Sequence, residues 1–265
     1  YIQTKFTPGI AQDACPDGPW DPETCMFDKA ADLATQVKQS ATTSLVHLRV
    51  PKLDSLVLHE MRQSWEDLKI IWRALEDVHT EGKTASIGVS HAHDPEMFRR
   101  LLDFAKIKPS FVQNPIFAIN GWDRDIRLIC KEHGIVYQAY SLNHEENDFV
   151  YHTREVLEIA QRLKKTPQQV IVAFIHRLGL LPLVGPQDRI KMAHAFTAAK
   201  YLPAQLTEQD VDVLENLEFS PFDRKESIDF TVTNKLETDV YVAWQHPDHS
   251  HERRFKGKYV LPERE

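Results

Sequence analysis

An α/β fold of the parallel (β/α)8, TIM-barrel type is predicted for this 265-residue chain from three observations. Short apolar runs recur, and each ends abruptly in polar residues. Helix-like stretches follow the runs, so that strands alternate with helices, which implies right-handed βαβ units and a parallel sheet. Counting gives six such units between residues 1 and 196, whereas a closed barrel of this type needs eight.

The runs are Tyr1-Ile-Gln-Thr-Lys5, Leu53-Asp-Ser-Leu-Val-Leu-His59, Ala85-Ser-Ile-Gly-Val-Ser90, Ser110-Phe-Val-Gln-Asn114, Ile135-Val-Tyr-Gln-Ala-Tyr-Ser141 and Leu180-Leu-Pro-Leu-Val-Gly185. Residues 9 to 24 are dense in turn formers and read as a long loop. Ser64-Trp-Glu-Asp67 has the form of a capping box and opens a helix with Leu68, Ile71, Trp72, Leu75 and Val78 on one face. Gly82 supplies its left-handed stop. Asp94-Pro95 offers a cap and a first-turn proline before Met97, Leu101, Leu102 and Phe104. Asp123 to His133 is a short helix leading into the strand at Ile135, Thr166-Pro167 caps Val170 to Leu178, and Thr207 to Asp210 caps Val211 to Leu217. After Ser220 the alternation stops. Asp229 to Thr233 and Asp239 to Trp244 then read as consecutive strands of period two, with a last strand through Lys258 to Leu261. Two domains are therefore expected: a barrel over 1–220 and a β-rich extension over 221–265, too short for a comfortable core alone. It would pack on the barrel or on a second subunit, so a homo-oligomer formed through this segment is the protein partner to look for.

Composition excludes several classes. Net charge of −7 argues against a nucleic-acid or acidic-membrane partner, either of which favours a basic face. No apolar stretch approaches the roughly 20 residues that cross a bilayer. Three cysteines, an odd count, suggest a reducing compartment and a cytoplasmic protein, although Cys15 and Cys25 bracket a Pro/Gly-rich loop and are placed to pair. The chain begins at Tyr1 rather than Met, so an upstream piece is expected to be missing.

In a parallel α/β protein the carboxyl ends of the strands share one rim, where reacting groups sit. Lys5, His59, Ser90, Gln113 and Tyr140 end their strands and should become neighbours around one pocket.

At this point the residues resemble the aldo-keto reductase superfamily, from about Tyr1 to Leu217. Tyr1 to Phe6 is similar to the strand that carries the family's catalytic lysine, here Lys5, and Leu53 to His59 to the strand ending in its catalytic histidine, here His59. Trp72 to Ser90 resembles the helix-turn-strand that ends in Ser-Asn at the nicotinamide carboxamide. The resemblance therefore assigns Ser90 to the cofactor, with His91 in place of the Asn. By the same resemblance Gln113 holds the carboxamide, Tyr140 stacks on the nicotinamide ring beside Ser141, and Arg189, helped by Lys191, meets the 2′-phosphate of NADP(H). The implied substrate is a small carbonyl compound. The departures are as informative. The family's first two barrel strands are absent, with its catalytic Asp and proton-donating Tyr, and the tail has no counterpart except a faint likeness to the β domain of von Hippel-Lindau proteins.

Carbonyl reduction needs a hydride donor facing the carbonyl carbon and an acid at the oxygen. Lys5 and His59 supply the supporting roles, and His59 is a candidate acid because an imidazole titrates near neutral pH. Three readings follow. The first is an NAD(P)H-dependent carbonyl reductase. The second is a cofactor-independent acid/base enzyme (dehydratase, isomerase or cyclase) that uses Lys5 and His59 on a truncated scaffold, with no cofactor if the truncation is real. The third is a non-catalytic binding or assembly protein. Each site residue also has an ordinary alternative as a solvated or packed rim residue. His246, His249 and His251 match no closed metal site, and no metal is expected. Trp20, Trp122 and Phe149 are candidate walls for a hydrophobic ligand.

Overall fold

The computed structural model describes residues 1–8, 25–185 and 188–217. The tail strands, the boundary at 220, the three-histidine segment, Trp20 and the Cys15 pairing lie outside the described residues. All six strand expectations are met: β1 (Gln3–Phe6), β2 (Ser55–Leu58), β3 (Ile87–Ser90), β4 (Phe111–Pro115), β5 (Val136–Tyr140) and β6 (Leu181–Pro182). They form one sheet in the order of the sequence, every neighbouring pair parallel, with β1 and β6 as its edges among the described residues.

The register sorts the side chains. Lys5, Val57, Gly88, Phe111 and Val136 lie side by side across β1 to β5, and Ser90, Gln113, Gln138 and Leu181 follow one level up. Partners in register share a face of the pleat, so this is the concave side. The alternate positions Phe6, Leu56, Leu58, Val89, Val112 and Ala139 are fully buried in the core shared with the helices. The sheet curls strongly: Gln3 on β1 and Gln113 on β4 are joined side chain to side chain at 3.1 Å. Gly88 permits this curl, since a Cβ there would stand 2.6 Å from the Phe111 carbonyl oxygen.

The helices cover the outer face: α1 (Leu33–Leu48), α2 (Trp65–Thr80), α3 (Pro95–Phe104), α4 (Arg124–His133), α5 (Arg154–Leu163), α6 (Pro167–Arg177), α7 (Arg189–Tyr201) and α8 (Glu208–Glu215). The expected caps form. Ser64, Asp94, Thr166 and Thr207 each accept a backbone N–H of the first turn, with full capping boxes at Thr166 and Thr207. Helices α1 and α5 carry no sign in the sequence reading. The buried face of α1 consists of Gln36, Val37, Ser40, Ala41 and Ser44, so its packing leaves almost no apolar periodicity to read. Two polar pins lock the outer layer. The buried Glu76 carboxylate accepts the Lys106 and Ile107 N–H groups at 2.7 and 2.9 Å, and Arg73 pairs with it at 2.5 Å. The Trp122 indole N–H donates to the Leu214 carbonyl at 2.8 Å, which draws α8 onto the barrel. No described helix is long and apolar enough to cross a membrane.

Candidate active site

The strand ends converge as expected. A cavity of about 410 Å³ at the carboxyl rim is lined by Lys5, His59, Ser90, Gln113, Tyr140 and Ser141, with residues 183–185 as its remaining wall. His91 and Arg189 are not among its lining residues.

Each group is held by a nameable local cause. His59 follows β2 directly and its Nδ1 pairs with the Thr7 hydroxyl at 2.8 Å. Burial first, then the Lys5 charge and then His91, depress the His59 pKa to about 4. The ring is therefore neutral at pH 7, which corrects the expectation of an imidazolium acid. In the tautomer where the Thr7 hydroxyl donates to Nδ1, the ring proton sits on Nε2, as a hydrogen-bond donor rather than a source of protons. Burial likewise lowers the pKa of Lys5.

Gln113 spends both amide N–H groups inside the barrel, donating to Gln138 Oε1 at 2.8 Å and Gln3 Oε1 at 3.1 Å. Its own Oε1 is the acceptor left for the cavity. The Ser90 hydroxyl donates to the Gln113 backbone carbonyl at 2.7 Å and so braces β3 against β4.

His91 takes a role the sequence reading did not give it. Its backbone adopts φ 55°, a left-handed conformation that turns the chain away from β3. The His59 carbonyl can only accept, so the contact of 2.9 Å to it places a proton on His91 Nδ1. Nε2 is then an acceptor for the Tyr140 hydroxyl at 2.8 Å. Both ring nitrogens are engaged within the protein, unlike a side chain free to grip a carboxamide. Tyr140 is pushed up to about 12, by burial first and then by the Glu60 charge.

Two supporting residues escaped the sequence reading. One is Thr7. The other is Asn114, fully buried at 0% exposure, whose Oδ1 accepts the Ala92 N–H and whose Nδ2 donates to the Ala92 carbonyl and to Asp123, each at 2.9 Å. This clamp fixes the loop that carries His91. An Asn ending a strand was visible in the sequence; its partner across the loop was not.

Arg189 is exposed at the first turn of α7 and away from the cavity wall. Trp122 is 1% exposed and packs edge-on against Phe174, so it belongs to the core and not to a ligand wall. Phe149 packs against the same core, also outside the cavity lining, so the aromatic-wall expectation fails for both described residues.

Comparison with known proteins gives one consistent result. The model of the Aldo/keto reductase family matches residues 4–218. A 9,11-endoperoxide prostaglandin H2 reductase of Trypanosoma cruzi is 27% identical over 150 residues, covering 55% of this chain and 50% of that protein. An NADPH-dependent alpha-keto amide reductase of Saccharomyces cerevisiae is 24% identical over 209 residues, covering 75% of this chain and 64% of that protein. The chain thus spans about half to two thirds of the length of these curated relatives. The crystal structure of an aldo/keto reductase from Klebsiella pneumoniae, in complex with NADP and acetate, superposes with a TM-score of 0.59 at 18% identity, covering 82% of this chain and 69% of that one. At that identity the likeness shows the fold.

Proposed function

Because this chain belongs to the aldo/keto reductase family, we propose that it reduces the carbonyl group of a small aldehyde or ketone with NADPH. The observation that carries the reading is the cavity itself, where a half-buried lysine, a neutral histidine and an amide oxygen, on or just after three different strands, line one space. The relatives named as reductases support it.

The residues present fit the nicotinamide end of such a cofactor. Gln113 Oε1 is an acceptor for a carboxamide N–H, and Tyr140 and Ser141 line the same cavity. Arg189 and Lys191, on the first turn of α7, are the cations proposed for the 2′-phosphate. When bound, NADPH supplies the hydride. The protein's own part is at the carbonyl oxygen. Neutral His59 donates from Nε2 and so orients the carbonyl. The Lys5 ammonium, its pKa lowered by burial, stabilises the charge developing on that oxygen and then releases a proton to it from Nζ.

The test is NADPH consumption with a panel of small aldehydes and ketones, wild type against His59→Ala. Loss of about 100-fold or more in kcat/KM is expected for the variant, the usual worth of a positioned donor at a developing oxyanion. Unchanged turnover in the variant, or no consumption with any substrate, would overturn the assignment.

One observation favours a second reading. His91 stands where the family has an asparagine, and both its ring nitrogens are already engaged. A site that has given up part of its hold on the carboxamide suits a cofactor-independent acid/base enzyme acting on carbonyl compounds through Lys5 and His59. Turnover of such a compound without NADPH would select it.

A further inference from the structure

Among the described residues four aspartates stand at helix N-caps, and one of them behaves unlike the rest. Asp32, Asp94 and Asp188 have φ of −64°, −100° and −85°, and each accepts a backbone N–H of the helix it opens. That is the ordinary work of an aspartate in this position. Asp123 opens α4 with a left-handed φ of 54° and makes no side-chain cap to it. Its carboxylate instead accepts the Tyr137 hydroxyl at 2.6 Å and the Asn114 amide at 2.9 Å. Gly121 and Trp122, at φ 59° and 56°, make the turn left-handed over three successive residues. Only glycine visits that region freely, so such a run persists where its surroundings hold it.

The outer hold is α8. The Trp122 indole N–H donates to the Leu214 carbonyl at 2.8 Å, and Arg127, one turn into α4, pairs with Glu215 at 2.8 Å. Helix α8 is itself lightly attached. Val211 and Leu214 are its buried residues, and ion pairs from Asp210 to Arg162 and from Glu208 to Arg177 fasten its other end. Elements with so little buried apolar surface open at low cost. The inner contacts run on from the turn to the cavity. Asn114 joins Asp123 to Ala92, the neighbouring His91 accepts the Tyr140 hydroxyl at 2.8 Å, and Tyr140 lines the cavity.

We propose that α8 is a strap whose docking fixes Tyr140 in the cavity wall, through the left-handed turn at 121–123 and the Asn114 clamp. The turn has two arrangements. With α8 docked it is left-handed and Asp123 holds Asn114. With α8 lifted, Asp123 relaxes to the extended backbone and caps α4 as the other three aspartates cap their helices. Asn114 then loses its anchor, His91 and Tyr140 are released, and the cavity wall opens. A ligand packed against Tyr140 favours docking of α8, and docking favours that ligand by the same factor. The device does not depend on which compound the cavity takes.

The experiment compares the full 265-residue chain with its Trp122→Phe variant, which keeps a ring against Phe174 and loses the indole N–H. Amide hydrogen exchange reads α8, and the histidine ¹⁵N spectrum reads His91. Exchange in α8 is expected to quicken several-fold while the His91 Nε2 resonance moves. The resonance of His79, whose Nε2 meets the Ala85 carbonyl far from these contacts in the chain, should stay in place. Glu215→Gln, which alters neither the turn nor the clamp, should act in the same direction and decides the matter if Trp122→Phe does not fold. Faster α8 exchange with an unmoved His91 resonance would overturn the proposal. So would His79 moving together with His91, or unchanged α8 exchange in both variants. Neither readout involves NADPH, so the strap and the reductase reading fail separately.

Discussion

Replacing Asn114 by Ala removes the clamp that holds the rim loop, and the structure sets the cost. Three hydrogen bonds of 2.9 Å are lost. The N–H and C=O of Ala92, a residue 1% exposed, are left without their side-chain partner, and Asp123 keeps the Tyr137 hydroxyl. Each orphaned buried polar group costs about 1–3 kcal/mol. Water entering the vacated space offsets part of this, so the net loss is about 2–4 kcal/mol. For a domain of this size about 2–4 °C of Tm goes with each kcal/mol, which places the fall at roughly 5–15 °C. Asn114→Asp keeps the acceptor for Ala92 N–H but turns an oxygen toward the Ala92 carbonyl and the Asp123 carboxylate, so it should fall at least as far. Thermal unfolding followed by circular dichroism measures both. A drop under about 1 °C in Asn114→Ala would refute the clamp and, with it, the reason His91 keeps its left-handed backbone.

Other consequences are as direct. Gly88→Ala places a Cβ 2.6 Å from a backbone oxygen of β4, and should destabilise by about 1–3 kcal/mol in denaturant titration; a neutral result would mean the two strands are not packed this closely. His59 has a folded pKa near 4 against 6.5 unfolded, so it contributes stability above pH 6.5 that drains away as pH falls toward 4. His59→Gln should flatten that limb of the stability-pH curve, with solvent screening keeping the effect modest, and an unchanged limb would deny the depressed pKa. Tyr140→Phe leaves His91 Nε2 without its donor, and should shift that nitrogen's resonance in a histidine ¹⁵N spectrum while costing only about 0.5–1.5 kcal/mol. An unmoved resonance would refute the contact.

The fold was legible because most strands lie in compact apolar runs that stop in polar residues, and the strands' order in the sheet is their order in the chain. Strand-end position was enough to bring Lys5, His59, Ser90, Gln113, Tyr140 and Ser141 together. What was not legible depends on pairing across loops. Thr7 meets His59 because β1 and β2 run in register, and Asn114 meets Ala92 because the backbone turns at His91. His91 looked like a substitute for an asparagine, and only its two ring contacts show it bracing Tyr140 and the His59 carbonyl. Helix α1 hid for a different reason: it buries serine, alanine and glutamine, small or hydrogen-bonded groups that carry no apolar stripe.

The central claim, a nicotinamide-dependent carbonyl reductase, is met most directly by titrating NADPH into the protein and following the cofactor's own fluorescence. Saturable binding at micromolar concentrations, weakened when Gln113→Leu removes the amide oxygen it leaves to the cavity, is the expected result. No saturable change for the folded wild-type chain would contradict it and leave Lys5 and His59 as the centre of a cofactor-free site.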